Sequence, residues 1–225
     1  MTSGLFITFE GVDGAGKSTQ IALTARWLRE RGYRVVVSRE PGGTPLGEAV
    51  RNILLDCRWK DMHVLTELFL YAAARAQHVQ RVILPALSRG EVVLCERYAD
   101  STVAYQAFAG GLDLYTVMRI NDIATGCLEP HLTILLDLDP EVGLVRKQHA
   151  SRLDRIERQS EEYRRKVREG YLWLANMAGK RVVVVDAHQD TSAVHRVVRS
   201  AVSCLLEEGK KSGSGDEAGT GDSPR

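Results

Sequence analysis

Four cysteines in 225 residues, Cys57, Cys95, Cys127 and Cys204, form no C-x-x-C pair. That spacing gives no disulfide framework and no zinc site, so a reducing cytoplasmic setting is expected. The six histidines show no metal-ligand spacing such as H-E-x-x-H. No apolar stretch reaches the roughly 18–20 residues of a membrane span. The N-terminal "MTSGLFITF" lacks a basic leader and a long apolar run, so it reads as a strand, not a signal peptide. Formal net charge is only +1, which offers no global field for nucleic acid or a membrane. Any anion site must therefore be a local cluster. There is no internal repeat.

What is present fits a soluble globular chain able to bury a full core, with 44% hydrophobic and 26% charged residues. Short runs rich in Val, Ile and Leu alternate with helical patterns. Strands are expected at 5–10, 33–40, 91–97, 132–138 and 180–187. Their nearly continuous apolar character means burial on both faces, hence an α/β fold with a parallel sheet between helices. "KSTQIALTARWLRERG" reads as a helix with Ile21, Ala25 and Leu28 on one face and Gly32 as its stop. Further helices are expected at 67–78 and 157–178. One domain spans 1–208, with a basic lid at about 141–157. The polar "GKKSGSGDEAGTGDSPR" at 209–225 has no apolar residue and is expected to be a disordered tail.

"EGVDGAGKSTQ" joins the first strand to the first helix. Gly11, Gly16, Lys17 and Ser18 fill G-x-x-x-x-G-K-[ST] in the context that motif requires. The stretch Gly11, Val12, Asp13, Gly14, Ala15, Gly16, Lys17, Ser18 and Thr19 is read as a cradle for the phosphates of ATP. Its glycines let backbone N–H groups converge on phosphate oxygens, and the helix N-terminus adds a positive dipole end. Lys17 reaches the β/γ-phosphates, and Ser18 is a Mg²⁺ ligand. Asp13 is the oddity, a carboxylate inside an anion site. No N-K-x-D motif marks a GTPase switch, since Asn52, Asn121 and Asn176 precede Ile, Asp and Met. The length leaves little room for the partner domains of a mechanical ATPase. A kinase for a small acceptor is favoured.

Ligands of open α/β sheets lie beyond the carboxyl ends of the strands. There "SREPGGTPLGEAVR" offers Arg39, Glu40 and Arg51, and "ERYADSTVAYQ" offers Glu96 and Arg97. An arginine so placed can bridge donor and acceptor phosphates, where its charge counts most in the transition state. Glu96 is a candidate to hold Mg²⁺ through water or to orient the nucleophile; a structural ion pair with Arg97 is the other reading. In "ELFLYAAARAQH", Tyr71 and Arg75 share a helix face. They suit a base, one ring to stack and one guanidinium to bond a carbonyl. Ordinary helix packing is their other reading.

In order along the chain, "FEGVDGAGKSTQ", "REPGGT", "YAAARAQH", "ERYADSTVAYQ", "LDRIE" and "VREGYLWLA" resemble thymidylate kinases, the dTMP kinases among P-loop nucleoside monophosphate kinases. The match runs from Leu5 to about Ala187. The resemblance implies a three-layer P-loop NTPase fold, with a five-stranded parallel sheet, helices on both faces and a short lid, commonly in a homodimer. It implies ATP:dTMP phosphotransfer giving dTDP, on the route to dTTP. Tyr71, where the family usually has Phe, would stack on thymine. Arg75 would bond the base carbonyl, with Thr102 and Gln106 at the base edge. Tyr105 would crowd the 2′ position. Arg39, Arg51 and Arg97 would grip the dTMP phosphate, while Asp13 and Glu40 would face its sugar.

Two departures from the family stand out. Glu96-Arg97 replaces the usual Asp-Arg, a feature shared with deoxynucleoside kinases. Such a kinase, acting on a nucleoside 5′-hydroxyl, is the alternative, against which "REPGGT", Arg51 and the Tyr105–Gln106 pair argue. A non-enzymatic P-loop module is a third reading. Gly14 and Ala15 also occupy the place where some members carry a catalytic arginine. The lid would then supply it, with Arg152 the first candidate and Arg155 the second, ahead of Arg146 and Arg158. Asp137 is expected to cap or orient a loop, His78 and His131 to be structural, and Trp27 and Trp173 to pack. "RRKVRE" at 164–169 is expected to be a solvated face.

Overall fold

The computed structural model describes residues 4–148 and 154–213. Strands β1 (Leu5–Glu10), β2 (Val35–Arg39), β3 (Val92–Glu96), β4 (Leu132–Asp137) and β5 (Val182–Asp186) form one parallel sheet ordered β2-β3-β1-β4-β5. The helices are α1 (Lys17–Arg29), α2 (Pro45–Leu55), α3 (Val64–His78), α4 (Leu84–Ser88), α5 (Ala99–Thr102), α6 (Leu114–Thr125), α7 (Pro140–Gln148), α8 (Glu161–Met177) and α9 (Thr191–Gly213). The chain leaves β1 for one side of the sheet and later returns to the other side. The carboxyl end of β1 therefore opens at the switch point where α/β sheets bind ligands.

Alternation along β1 divides the core. Ile7 and Phe9 pack with Ile21, Ala25 and Leu28 of α1 and with Val194, Val198 and Val202 of α9. Phe6 packs instead with Val79, Ile83, Ala86, Val93 and Cys95. Each buried Ile, Leu, Val or Phe among them contributes on the order of 1.5–3 kcal/mol of burial free energy. Cys95 is a core residue, as expected. Trp27 is buried beneath the guanidinium groups of Arg31 and Arg199, and Trp173 packs on Phe108.

Local chemistry sets the helix ends. The Thr44 hydroxyl accepts from Gly47 N at 2.9 Å and Pro45 opens α2. Asp113 caps α6 and Ser160 caps α8 in the same way. Two π-helical stretches interrupt regular helix, Val79–Ile83 after α3 and Val103–Ala109 after α5. The second is closed by Gly110 N donating to Tyr105 O at 2.8 Å, a bond across five residues. It carries Tyr105 and Gln106.

Two expected boundaries shift. Helix α9 continues through Gly213, past residue 208. A polar segment cannot build a core, but "EEGKK" contains good helix formers and no proline, so an existing helix propagates into it. Of the stretch expected as a lid, the described residues are those of α7, to Gln148, and a turn from Asp154. Asp154 Oδ1 accepts from the N–H groups of Ile156 and Glu157 there. Arg152 lies outside the described residues. No helix among the described residues is long and apolar enough to cross a membrane.

Candidate active site

Gly11, Gly14 and Gly16 adopt φ of 131°, 76° and 93° between β1 and α1. A side chain at Gly11 would overlap the Leu136 carbonyl, and one at Gly14 would overlap the Gly143 carbonyl of α7. The loop thus runs flush against β4 and α7, which excludes any residue but glycine at both places. Gly16 caps α1 without a side chain, unlike the caps of α2, α6 and α8. The first N–H groups of α1 are left for an anion. Buried Lys17 folds back over the loop, donating to Gly11 O at 3.1 Å and Val12 O at 2.9 Å. Burial, then the charge of Arg97, pushes its pKa down to about 8. Ala15 N donates to Val12 O, which tightens the loop, and Thr19 is exposed on the first turn of α1.

Parallel pairing of β1 with β3 sets Glu96 beside Phe9, level with the loop. Ser18 Oγ donates to Glu96 Oε2 at 2.7 Å, so the two expected metal ligands do meet. A hydroxyl and a carboxylate in contact are the hard oxygen donors that Mg²⁺ takes, and these residues fit the ion.

Arg97 follows at φ 66°, an uncommon conformation for a non-glycine residue that turns its side chain inward. Its guanidinium donates to Asp13 Oδ1 (2.7 Å), Tyr105 Oη (3.1 Å), Tyr171 Oη (2.8 Å) and Ser101 Oγ (3.3 Å). Burial opposes ionisation of Asp13, but Arg97 and Lys17 outweigh it and hold the carboxyl well below the usual range. The carboxylate in the cradle is therefore balanced by a cation. Behind this hub lies Glu10, fully buried. It accepts from Tyr98 N (2.7 Å), Ser101 Oγ (2.6 Å) and Tyr171 Oη (3.1 Å). Burial, then the charge of Asp100, pushes the Glu10 carboxyl up to about 7.

One cavity of about 280 Å³ opens from Ser18, Glu96 and Arg97, and all ten acceptor-side residues expected from the sequence line it. Arg75 is buried at its floor, donating to Glu40 Oε2 (2.7 Å), Asn121 Oδ1 (2.7 Å) and Tyr98 O (3.0 Å). Of its five N–H donors, three are thereby placed. Tyr71 lines the wall, and burial raises its phenol pKa. Arg39 pairs with Glu48 at 2.9 Å, and Arg51 donates to Pro41 O at 3.1 Å.

Two placements differ from expectation. Glu40 is engaged by Arg75 and by His78 Nδ1 (2.9 Å), not turned to a sugar. Arg75 and His78 are three apart on α3 and meet the end of β2 together, so both carboxylate oxygens are taken. Arg155 is buried away from the cradle, donating to Leu54 O at 2.8 Å and pairing with Glu67. The Asp154 turn directs it there. Asp137 forms a bidentate pair with Arg168 at 2.7 and 2.8 Å.

A family model described as thymidylate kinase matches residues 9–198. The chain belongs to the thymidylate kinase family. It is 52% identical over 202 residues to a thymidylate kinase of Symbiobacterium thermophilum, covering 90% of this chain and 94% of that one. A thymidylate kinase of Gloeobacter violaceus is 48% identical over 206 residues, covering 91% and 97%. Among solved structures, the crystal structure of thymidylate kinase from Ehrlichia chaffeensis matches with a TM-score of 0.74 and 32% identity, over 89% of this chain and 99% of that chain.

The thymidylate kinase motifs contain Glu10, His78, Ser101 and Tyr171, to which the sequence assigned no contact in the cavity, and Asn121, Lys147 and Glu67 lie outside them. Glu10, Ser101 and Tyr171 brace Arg97; Asn121 and His78 brace the Arg75–Glu40 pair. Lys147 of α7 lines the cavity and pairs with Glu157 at 3.1 Å. Glu67 lies on the same α3 face as Tyr71 and Arg75, at a spacing of four. That periodicity was available in the sequence as a signal for it.

Proposed function

We propose that the chain transfers the γ-phosphoryl group of ATP to dTMP, giving dTDP and ADP, in the supply of dTTP. One observation carries this reading. A single cavity joins the Ser18–Glu96–Arg97 end, beside the phosphate cradle, to a base-sized recess at Tyr71, Arg75, Thr102 and Gln106. The acceptor is itself a phosphate, nucleophilic at neutral pH, so no strong general base is needed. Positioning and charge neutralisation carry the catalysis.

In this reading the cradle's backbone and Lys17 hold the ATP phosphates. Ser18 and Glu96 would hold Mg²⁺, which when bound neutralises charge on the phosphate oxygens. Arg97 lies between donor and acceptor, with Arg39 and Arg51 on the acceptor phosphate. Asp13 accepts from the 3′-hydroxyl, and Tyr105, stacked under Arg97 at 5.1 Å, crowds the 2′ position. Tyr71 stacks on the base and Arg75 bonds its carbonyl, anchored by Glu40. Arg152 is the lid arginine. Arg155, held by Glu67, serves position instead. A coupled ADP-release assay across dTMP, dUMP, dCMP, purine monophosphates and thymidine tests this. Turnover is expected with dTMP; turnover of thymidine alone would establish the deoxynucleoside kinase instead.

The reaction belongs in a reducing cytoplasm, and the working unit is a homodimer. Helices α2, α3 and α6 pack side by side and leave Leu46, Ile53, Phe69, Met118 and Ile123 exposed, the face a second copy would cover. Light scattering that returns the 24.9 kDa mass of one chain would overturn the dimer.

A further inference from the structure

Glu67 is a buried carboxylate that touches no substrate group in the roles above, and both its oxygens are engaged. Oε1 accepts from Gln106 Nε2 at 2.6 Å. Oε2 pairs with the Arg155 guanidinium. Arg155 is itself pinned, its Nε on Leu54 O at 2.8 Å and its backbone N on Leu55 O at 3.2 Å. Helix α3, the π-helical stretch after α5 and the turn after the lid thus converge on one carboxylate.

A primary amide has a donor end and an acceptor end, and its neighbours decide which way it points. A carboxylate in an ion pair offers acceptors only, so it takes the NH₂ end of Gln106. Gln106 also lines the acceptor cavity, and the end left for that cavity is the carbonyl oxygen. Beside it is Thr102, buried in the same wall, whose hydroxyl has no hydrogen-bond partner in the protein. The recess therefore has one amide end of known sign and one hydroxyl able to donate or accept.

We propose that Glu67 is a positioning residue for base specificity: it orients the Gln106 amide so that the cavity presents an acceptor to a base with a ring N–H. This rests on the reading of the cavity as a pyrimidine monophosphate site. Thymine and uracil carry a donor at ring position 3. Cytosine carries a lone pair there and meets the carbonyl oxygen unfavourably. An unconstrained glutamine would flip and accept either base. Discrimination resides in Glu67, which Arg155 keeps in place.

The test compares dTMP with 5-methyl-dCMP as acceptors, for the wild-type chain and for Glu67→Gln. Both bases carry the methyl group, and the 4-amino group meets the same Arg75 in either protein, so that clash cancels between them. The dTMP to 5-methyl-dCMP ratio of kcat/KM is expected to fall about tenfold in Glu67→Gln, whose amide tolerates both Gln106 orientations. Glu67→Asp, still an acceptor only, is expected to keep the wild-type ratio. Equal losses for both acceptors in Glu67→Gln, as a merely structural role predicts, would overturn the proposal. Should Glu67→Gln not fold, NMR of the wild-type chain with dTMP decides. A through-hydrogen-bond coupling from thymine N3 to the Gln106 side-chain carbonyl carbon is expected, with nuclear Overhauser contacts from the Gln106 NH₂ to the Glu67 methylenes; absence of both would overturn the proposal. If the wild-type chain fails to turn over dTMP at all, the functional reading itself falls, and this proposal with it.

Discussion

Raising the pH from 7 to 9 should weaken ATP binding about tenfold through Lys17. Its pKa of about 8 leaves the ammonium about 90% charged at pH 7 and about 10% charged at pH 9. A triphosphate in the cradle would draw Nζ from the Gly11 and Val12 carbonyls and favour the charged form, raising the pKa in the complex. The free chain thus holds the lower pKa. Binding takes up a proton above pH 8, and affinity falls as pH rises. Uptake should be about 0.9 proton per ATP at pH 9 and about 0.1 from Lys17 at pH 7. Phosphate's own second ionisation, near pH 6, is complete by then and adds nothing to the rise. Isothermal titration in two buffers of different ionisation enthalpy, at fixed Mg²⁺ and salt, reads this directly. Lys17→Arg, charged throughout, should abolish the pH dependence. Uptake below about 0.2 proton at pH 9, with an unchanged Kd, would refute the assignment of the titrating group.

Asp13→Ala should raise KM for dTMP about tenfold or more and leave KM for ATP within about twofold, by the loss of a charged hydrogen-bond acceptor; the reverse pattern would detach Asp13 from the acceptor. Arg97→Ala should lower kcat about 10²–10³-fold with the fold intact by circular dichroism, and near-normal turnover would remove it from the transition state. Glu10, raised from 4.5 to about 7, binds more protons folded than unfolded between those values, so stability should fall as pH rises from about 4.5 to 7. The fall is about 3 kcal/mol at most, and urea melts of Glu10→Gln should lack it. Arg152→Lys should impair kcat more than dTMP affinity, whereas Arg155→Lys should act chiefly on base selectivity; the opposite pairing would exchange the two assignments.

The central strands β1, β3 and β4 were legible because doubly covered parallel strands must be apolar on both faces. The edge strands β2 and β5 carry similar Val runs although Val37 and Val184 are exposed, so for them the expectation of burial on both faces fails. The cradle was legible because its geometry demands glycine where φ is positive. The cavity wall was legible for a related reason: Arg39, Glu40, Glu96 and Arg97 end strands, and strand ends share one edge of the sheet. What stayed hidden depends on side chains that meet across long separations. The engagement of Glu40 with Arg75 spans 35 residues, and that of Arg155 with Glu67 spans 88. A charged residue near a site reads as a ligand for the substrate until its protein partner is known. Glu40 and Arg155 both moved from contact to support for that reason. The extension of α9 was hidden differently, since composition reports on core formation and says little about where an established helix ends.

The cations of this site are each matched to a protein acceptor that a phosphate could replace. Lys17 rests on two loop carbonyls, Arg97 on Asp13, Arg39 on Glu48 and Arg51 on the Pro41 carbonyl. A phosphate entering such a site exchanges one partner for another, so the positive charge is kept close without standing unpaired in a buried place. Asp13 joins the two halves of this arrangement. Its backbone carbonyl lies against Gly143 of α7, where even a Cβ would not fit, and its side chain holds the guanidinium of Arg97. α7 thus packs directly on the residue whose side chain holds Arg97. The carboxylate that looked misplaced in an anion cradle links α7, the glycine loop and the cavity. Its neighbour Gly14 lets α7 come close enough for that link to exist.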